Sequence, residues 1–170
     1  IIPNSIELDS SAFLNDSIYQ YHKQNASWNL DKVYYKVYDN QGILQELYSY
    51  EVDLNGTMSP EYKWAFSFNS VPQLTQILKS RSQGSSWAGM EMTEYSYDIQ
   101  GKISGELVKE FTNNAWIDVL KKEYSYDGQG RIMIESFLTI SNGNWEFDNQ
   151  LVYSYSTGIN RKEAIHRNWA

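Results

Sequence analysis

Apolar and polar residues alternate along most of this chain. From Trp116 to Tyr126, Trp116, Leu120, Tyr124 and Tyr126 share one parity, while Lys121, Glu123 and Ser125 share the other. Ile132, Ile134, Leu138 and Ile140 repeat the pattern in the next segment. A period of two, built from aromatic and β-branched residues, predicts half-buried strands. The segments between them have turn chemistry. In Asp127-Gly-Gln-Gly130 the carboxylate can accept from nearby backbone N–H groups, and the last glycine supplies the positive φ that follows a type I turn. Asn142-Gly143 is the preferred pair for a two-residue type I′ hairpin. Closing the chain around these turns sets Tyr126 opposite Ile132, Tyr124 opposite Ile134, Leu120 opposite Leu138 and Ile140 opposite Trp145. All these pairs are expected on one face. The other face, with Arg131, Glu135, Glu146 and Asp148, reads as wet with apolar patches.

This unit recurs. The aromatic position before the turn falls at Tyr38, Phe68, Tyr97, Tyr126 and Tyr155. A second marker falls at Trp28, Met58, Trp87, Trp116 and Trp145, always 10 residues earlier. The step from each turn aromatic to the next second marker is 20 residues once and 19 thereafter, so the period is about 29 residues. Clear copies fill 28–158. The stretch 5–27 reads either as a worn copy, with Leu8 to Ala12 at the first turn, or as a short amphipathic helix over Ser11 to Lys23. Pro60 and Pro72 mark the weakest unit, where Phe68-Asn69 replaces Tyr-Asp, and predict a bulge, a longer loop or a bend.

The expected fold is all-β: one domain over 1–170, an antiparallel up-and-down meander of 10–12 strands built from hairpin repeats. A flat sheet would leave its aromatic face in water, and each such side chain is worth about 1.5–3 kcal/mol when buried. A strongly coiled or partly closed sheet is the leading expectation. A closed barrel, a homodimer through the aromatic face and an open sheet held by cross-strand aromatic ladders are the alternatives.

Composition narrows the function. The chain has 170 residues, a formal net charge of -7 and no cysteine. Scattered Lys and Arg on an acidic chain argue against nucleic acid. The lack of Cys removes disulfides and thiolate chemistry. No apolar run approaches the roughly 20 residues of a spanning helix, so no transmembrane segment is expected. The opening Ile1-Ile2-Pro3 has no initiator Met, which fits a processed or trimmed chain. His22 and His166, the two histidines, lie near opposite ends and read as surface or edge-strand residues. Asp39, Asp98 and Asp127 read as turn formers rather than calcium ligands. Glu91, Glu94, Glu106, Glu110, Glu123 and Glu135 read as a solvated face, with no carboxylate pair singled out for hydrolysis. No catalytic residue, metal site or cofactor is expected.

The phrase Tyr-x-Tyr-Asp-x-x-Gly-Arg, clearest from Tyr124 to Arg131, resembles the YD repeats of Rhs-type and toxin-complex shell proteins. With the added Trp after an Asn-Gly turn, the chain is more similar to uncharacterised exported repeat proteins of Bacteroidetes. The first resemblance implies long antiparallel sheets that wrap into shells. This chain has too few repeats to enclose a cargo, so the shell role is not carried over. The second implies an exported, periplasmic or cell-surface bacterial location and no assigned activity. The expected function is a non-enzymatic module that binds a glycan or a cell-surface protein, with a structural or self-associating scaffold as the alternative and a hydrolase behind both. The candidate ligand-facing aromatics are Trp87, Trp116, Trp145, Tyr97, Tyr126 and Tyr155. The rival reading places the same rings in the core.

Overall fold

The structure is a computed structural model that describes residues 16–24, 27–155 and 162–168. Eleven strands follow one another in sequence order: β1 (Asp16–Gln24), β2 (Ser27–Tyr38), β3 (Leu44–Val52), β4 (Met58–Phe68), β5 (Leu74–Gln83), β6 (Ser86–Tyr97), β7 (Ile103–Thr112), β8 (Ala115–Tyr126), β9 (Ile132–Ser141), β10 (Asn144–Tyr155) and β11 (Lys162–Asn168). They form an antiparallel up-and-down sheet whose order runs from β1 to β11 without closing on itself. No helix occurs among the described residues, so none is long and apolar enough to cross a membrane. The worn N-terminal copy takes the hairpin form where it is described. Asp16–Gln24 is a strand paired with β2, and the proposed first turn at Leu8 to Ala12 lies outside the described residues. The chain divides into two compact units, Ile1–Ser67 with Leu78–Gly89, and Phe68–Ile77 with Met90–Ala170.

The turns form as the residue types require. Asp127 Oδ1 accepts from Gln129 N at 2.9 Å and Arg131 N at 3.0 Å, and Gly130 has φ +79°. Asp39 and Asp98 make the same two bonds in their own turns. Hydrogen bonds from Arg131 hold the half-buried Asp127 carboxyl below its usual range. At Asn69 the side-chain oxygen accepts from Gln73 N at 3.1 Å, so the loop keeps its length although Pro72 replaces the glycine. Asn113 and Asn114 both have positive φ, as do Asn142 and Gly143, which gives the type I′ hairpins.

Register departs from the simple count, and does so at matching places in the repeats whose pairing is described. Tyr126 faces Ile132, but the next pair is Ser125–Ile134, so Met133 is surplus. Gln45 and Ser104 are surplus at the matching position. A second surplus residue stands three after four of the five markers, Trp28, Met58, Trp116 and Trp145: Asp31, Glu61, Val119 and Asp148. Each bulge inserts one residue and reverses the parity that follows it. Tyr124 therefore faces Glu135 rather than Ile134, and Leu120 faces Thr139 rather than Leu138. Ile140 does face Trp145. The bulge beside Pro60 is the general one, and proline is accommodated there rather than causing it.

The consequence in the second unit is a separation of aromatic types. Tyr95, Tyr97, Tyr124, Tyr126, Tyr153 and Tyr155 lie on one face of the sheet. Trp116 and Trp145 lie on the other. The expectation that indole and phenol rings share a side is thus corrected, because Val119 and Asp148 each switch the parity between Trp and Tyr.

The tyrosine face stitches repeats together. The hydroxyls of Tyr97, Tyr126 and Tyr155 donate to the carbonyls of Leu74, Ile103 and Ile132 at 2.6–2.7 Å. Lys102 Nζ sits 5.0 Å above the Tyr126 ring, and Arg131 Cζ sits 4.1 Å above Tyr155. Tyr124 donates to Glu106 at 2.6 Å and Tyr153 to Glu135 at 2.8 Å. Glu106 also pairs with Lys122 at 3.4 Å. Glu106 and Glu135 therefore belong to the tyrosine face and are not a separate solvated one. Burial first, and the Glu135 bond second, push the Tyr153 phenol up to about 12. Burial and then Glu106 push Tyr124 up as well.

Two predictions follow from these contacts. Gly130→Ala strains a left-handed position and sets its Cβ 2.4 Å from Lys102 Nζ, whereas Gly128 has open space and no positive φ. G130A is expected to lower stability by about 1–2 kcal/mol, and G128A to stay within about 0.5 kcal/mol. Urea midpoints decide, and equal midpoints overturn the turn assignment. Unfolded phenols lose their protons near pH ~10, while the native Tyr153 and Tyr124 hold theirs longer. This stability is complete below pH ~10 and lost as pH rises toward about 12. The urea midpoint should fall over that window, less steeply in Tyr153→Phe; an identical slope in the variant counts against the phenol–carboxylate pair.

Candidate ligand-binding face

The second unit offers two faces with different chemistry. On the tyrosine face the hydroxyls of Tyr97, Tyr126 and Tyr155 are spent on backbone carbonyls, and their rings are half-buried. These three residues tie each repeat to the one before it through their hydroxyls.

The other face carries a file of apolar side chains near the two-residue turns. Phe111 on β7 stands opposite Trp116 on β8, with ring centroids 5.2 Å apart. Ile140 on β9 stands opposite Trp145 on β10, and Leu138 opposite Phe147. The local cause is the type I′ turn, which fixes a non-slipping register and so pairs Phe111 with Trp116 and Ile140 with Trp145. Phe111 is 44% exposed, Phe147 49% and Ile140 42%, while Trp116 and Trp145 are half-buried between them. Leu138 beneath is 6% exposed and anchors the file.

Charged groups border this file and are paired with one another. Lys109 Nζ lies 3.1 Å from Glu94 and 3.5 Å from Asp118. The hydrogen bond to Glu94 is the main reason its ammonium is held above the usual lysine value. Lys121 pairs with Glu123 on the same face. Gln150 Nε2 donates to the buried Ser136 hydroxyl at 3.1 Å. The arrangement can hold a flat apolar surface and hydrogen-bond its rim. It brings no nucleophile and base together.

Trp87 belongs to the first unit. There it packs edge-on against Tyr48 at 5.7 Å, on the face that also holds the Tyr35–Tyr50 pair at 5.5 Å. Burial and the bond to Glu46 push the Tyr48 phenol up. On the opposite face of that unit Lys79 covers Tyr62 at 4.8 Å and Trp64 at 5.9 Å. His22 lies on β1, 3.5 Å from Asp31, with both side chains exposed. His166 lies on β11 opposite Leu151. Among the described residues no group of three His, Cys, Asp or Glu could hold a metal ion.

A cleft of about 470 Å³ lies at the Asp98 and Asp127 turns, lined also by Gln100, Lys102, Tyr124, Ser125, Tyr126 and Gly128. Both aspartates are committed to their own turns, and Lys102 to the Tyr126 ring. The Ser125 hydroxyl is sealed and unpaired. In the preceding repeat Ser96 bonds Ser104 at 3.1 Å, and Met133 occupies the matching position beside Ser125. The cleft is a by-product of the turn stack.

The simple count missed Phe111 and Phe147. Phe111 was legible, since counting outward from Asn113-Asn114 pairs it with Trp116. Phe147 was not, because its place depends on the bulge at Asp148. Asp53-Leu-Asn-Gly56 was also legible: it repeats the Asp-x-x-Gly turn, Gly56 having φ +81°, in place of an Asn-Gly turn.

No family model matches the chain, and no curated protein matches its sequence. Among solved structures, it is similar to a protein of unknown function from Bacteroides fragilis, with a TM-score of 0.52 and 12% identity over 81% of this chain and 92% of that one. A DUF3836 family protein from Bacteroides vulgatus gives 0.36 at 10% identity, over 63% of this chain and 98% of that one. A TcdB2-TccC3 structure gives 0.33 at 12% identity, over 91% of this chain and 10% of that one. The first likeness shows a shared fold, and the scores of the other two are too low to support an argument.

Proposed function

We propose that the chain is a non-enzymatic binding module that takes a macromolecular ligand across the tryptophan face of its second unit. One observation carries this reading. Phe111 and Phe147, at 44% and 49% exposed, extend the Trp116 and Trp145 positions into solvent on a face whose charges are already paired. Large apolar side chains left in water on a rigid sheet are a cost that a binding surface recovers on contact. The face offers donors, acceptors and rings, which suits recognition, and no proton-transfer pair, which catalysis would need. An exported location on a bacterial cell belongs to the same reading, supported by the resemblance of the Tyr-x-Tyr-Asp-x-x-Gly-Arg phrase to exported repeat proteins. Proteolysis of the protein on intact cells is the expected result, and protection until lysis speaks against surface display.

The face itself is tested with a double variant, Phe111→Ser with Phe147→Ser. Both side chains are nearly half exposed, so the fold should survive, as circular dichroism will show. Retention on immobilised glycans and surface glycoproteins is expected to weaken about tenfold or more relative to the unaltered chain. Equal retention by both forms moves the ligand site elsewhere.

A further inference from the structure

We infer that the ligand of this face is a neutral, extended polysaccharide with β-linked, ribbon-like geometry, lying diagonally across the strands. This rests on the reading of the face as a binding surface and adds the ligand class.

Spacing is the first argument. Trp116 on β8 and Trp145 on β10 hold equivalent places in successive repeats, two strands apart. Two strand spacings make about 9.5 Å. Glu123 pairs with Ser136, which pairs with Gln150, two residues short of the repeat equivalent Val152. Successive units are thus staggered by two residues, about 7 Å along the strands, which sets equivalent side chains about 12 Å apart on the diagonal. A ribbon of β-linked pyranoses turns over at each residue and presents the same ring face once per disaccharide. Its repeat is close to that diagonal step. A helical α-linked glucan has no such straight repeat.

Charge is the second. The groups beside the rings, Glu94, Lys109, Asp118, Lys121 and Glu123, are ion-paired on that face and sum to one negative charge, three carboxylates against two ammonium groups. A polyanion would meet a chain of net charge -7 and no free cationic row among them. An uncharged ligand loses nothing by this arrangement. Shape is the third. A stable protein partner needs an apolar patch with breadth, about 800 Å² per side. Here the apolar residues form a narrow file bounded by ion pairs, which fits a linear polymer.

The test is native affinity electrophoresis of the full chain through gels containing hydroxyethyl cellulose, glucomannan, soluble starch or polygalacturonate. Retardation by one or both of the first two, insensitive to added salt and weakened about tenfold in the double serine variant or in Trp145→Ala, is the expected result. Retardation only by starch or polygalacturonate, still lost in the double variant, overturns the ligand class and leaves the face intact. Retardation that the variants do not change overturns both. No retardation in any of the four gels overturns the ligand class, and the glycoprotein retention experiment then decides the face on its own.

Discussion

The structure depends on a counting constraint. A strand alternates sides with a period of two, so a single extra residue sends everything beyond it to the other face. Each repeat whose register is described carries such a residue, three positions after the tryptophan marker. A further one follows the aspartate turn. Without Val119, Trp116 would join Tyr124 and Tyr126 on one side. With it, the indole stands on one face and the phenols on the other. Local backbone irregularity, repeated faithfully, decides which aromatic type meets which surroundings.

The two faces then settle their energetics differently. Few side chains are deeply buried among the described residues; Val33, Leu138 and Tyr153 are the apolar ones. The sheet must therefore draw on cross-strand contacts more than on a thick core. Tyrosine suits this task. Its ring packs over the neighbouring strand while its hydroxyl reaches a carbonyl one repeat back, and a cation covers the ring. Each bond is worth about 1 kcal/mol net, and the same bond recurs with every period. Phenylalanine at position 68 keeps the ring and has no hydroxyl to donate. Tryptophan and phenylalanine on the opposite face have no such hydroxyl either. Their rings contact each other and the solvent, and the proposed binding role rests on that exposure.

How much of this could be read from residues alone depends on which physical signal carried it. Turns were legible because Asp, Asn and Gly impose local backbone states, and Asp127, Asn142 and Gly143 behave as their types require. Strand number and order followed from the period. Faces were not legible, since nothing in the residue types of Lys102 to Lys109 or Leu120 to Met133 announces which residue will be surplus. Pro60 pointed to a bulge and one is there, yet the same bulge occurs at Asp31, Val119 and Asp148 with no proline. The cause is shared by the repeats rather than written in one residue. The candidate list was affected accordingly: the tyrosines named as ligand-facing have their hydroxyls committed within the sheet, while Phe111 and Phe147 stand exposed and were not named.

The bulges also link the fold to the proposed ligand geometry. Two surplus residues per repeat, one on each strand, leave successive hairpins staggered by two positions rather than level. A level array would place its rings in a row perpendicular to the strands, at about 9.5 Å. The stagger turns that row onto a diagonal and lengthens its step. It also carries the file of rings between the paired charges of Lys109 and Lys121 on one side and the type I′ turns on the other. A ligand following the rings, as proposed, would meet apolar contact along its length and polar groups only at its margins. That division of labour favours a polymer whose flat faces are apolar and whose edges carry hydroxyls, and it arises from the same extra residue that separates tryptophan from tyrosine.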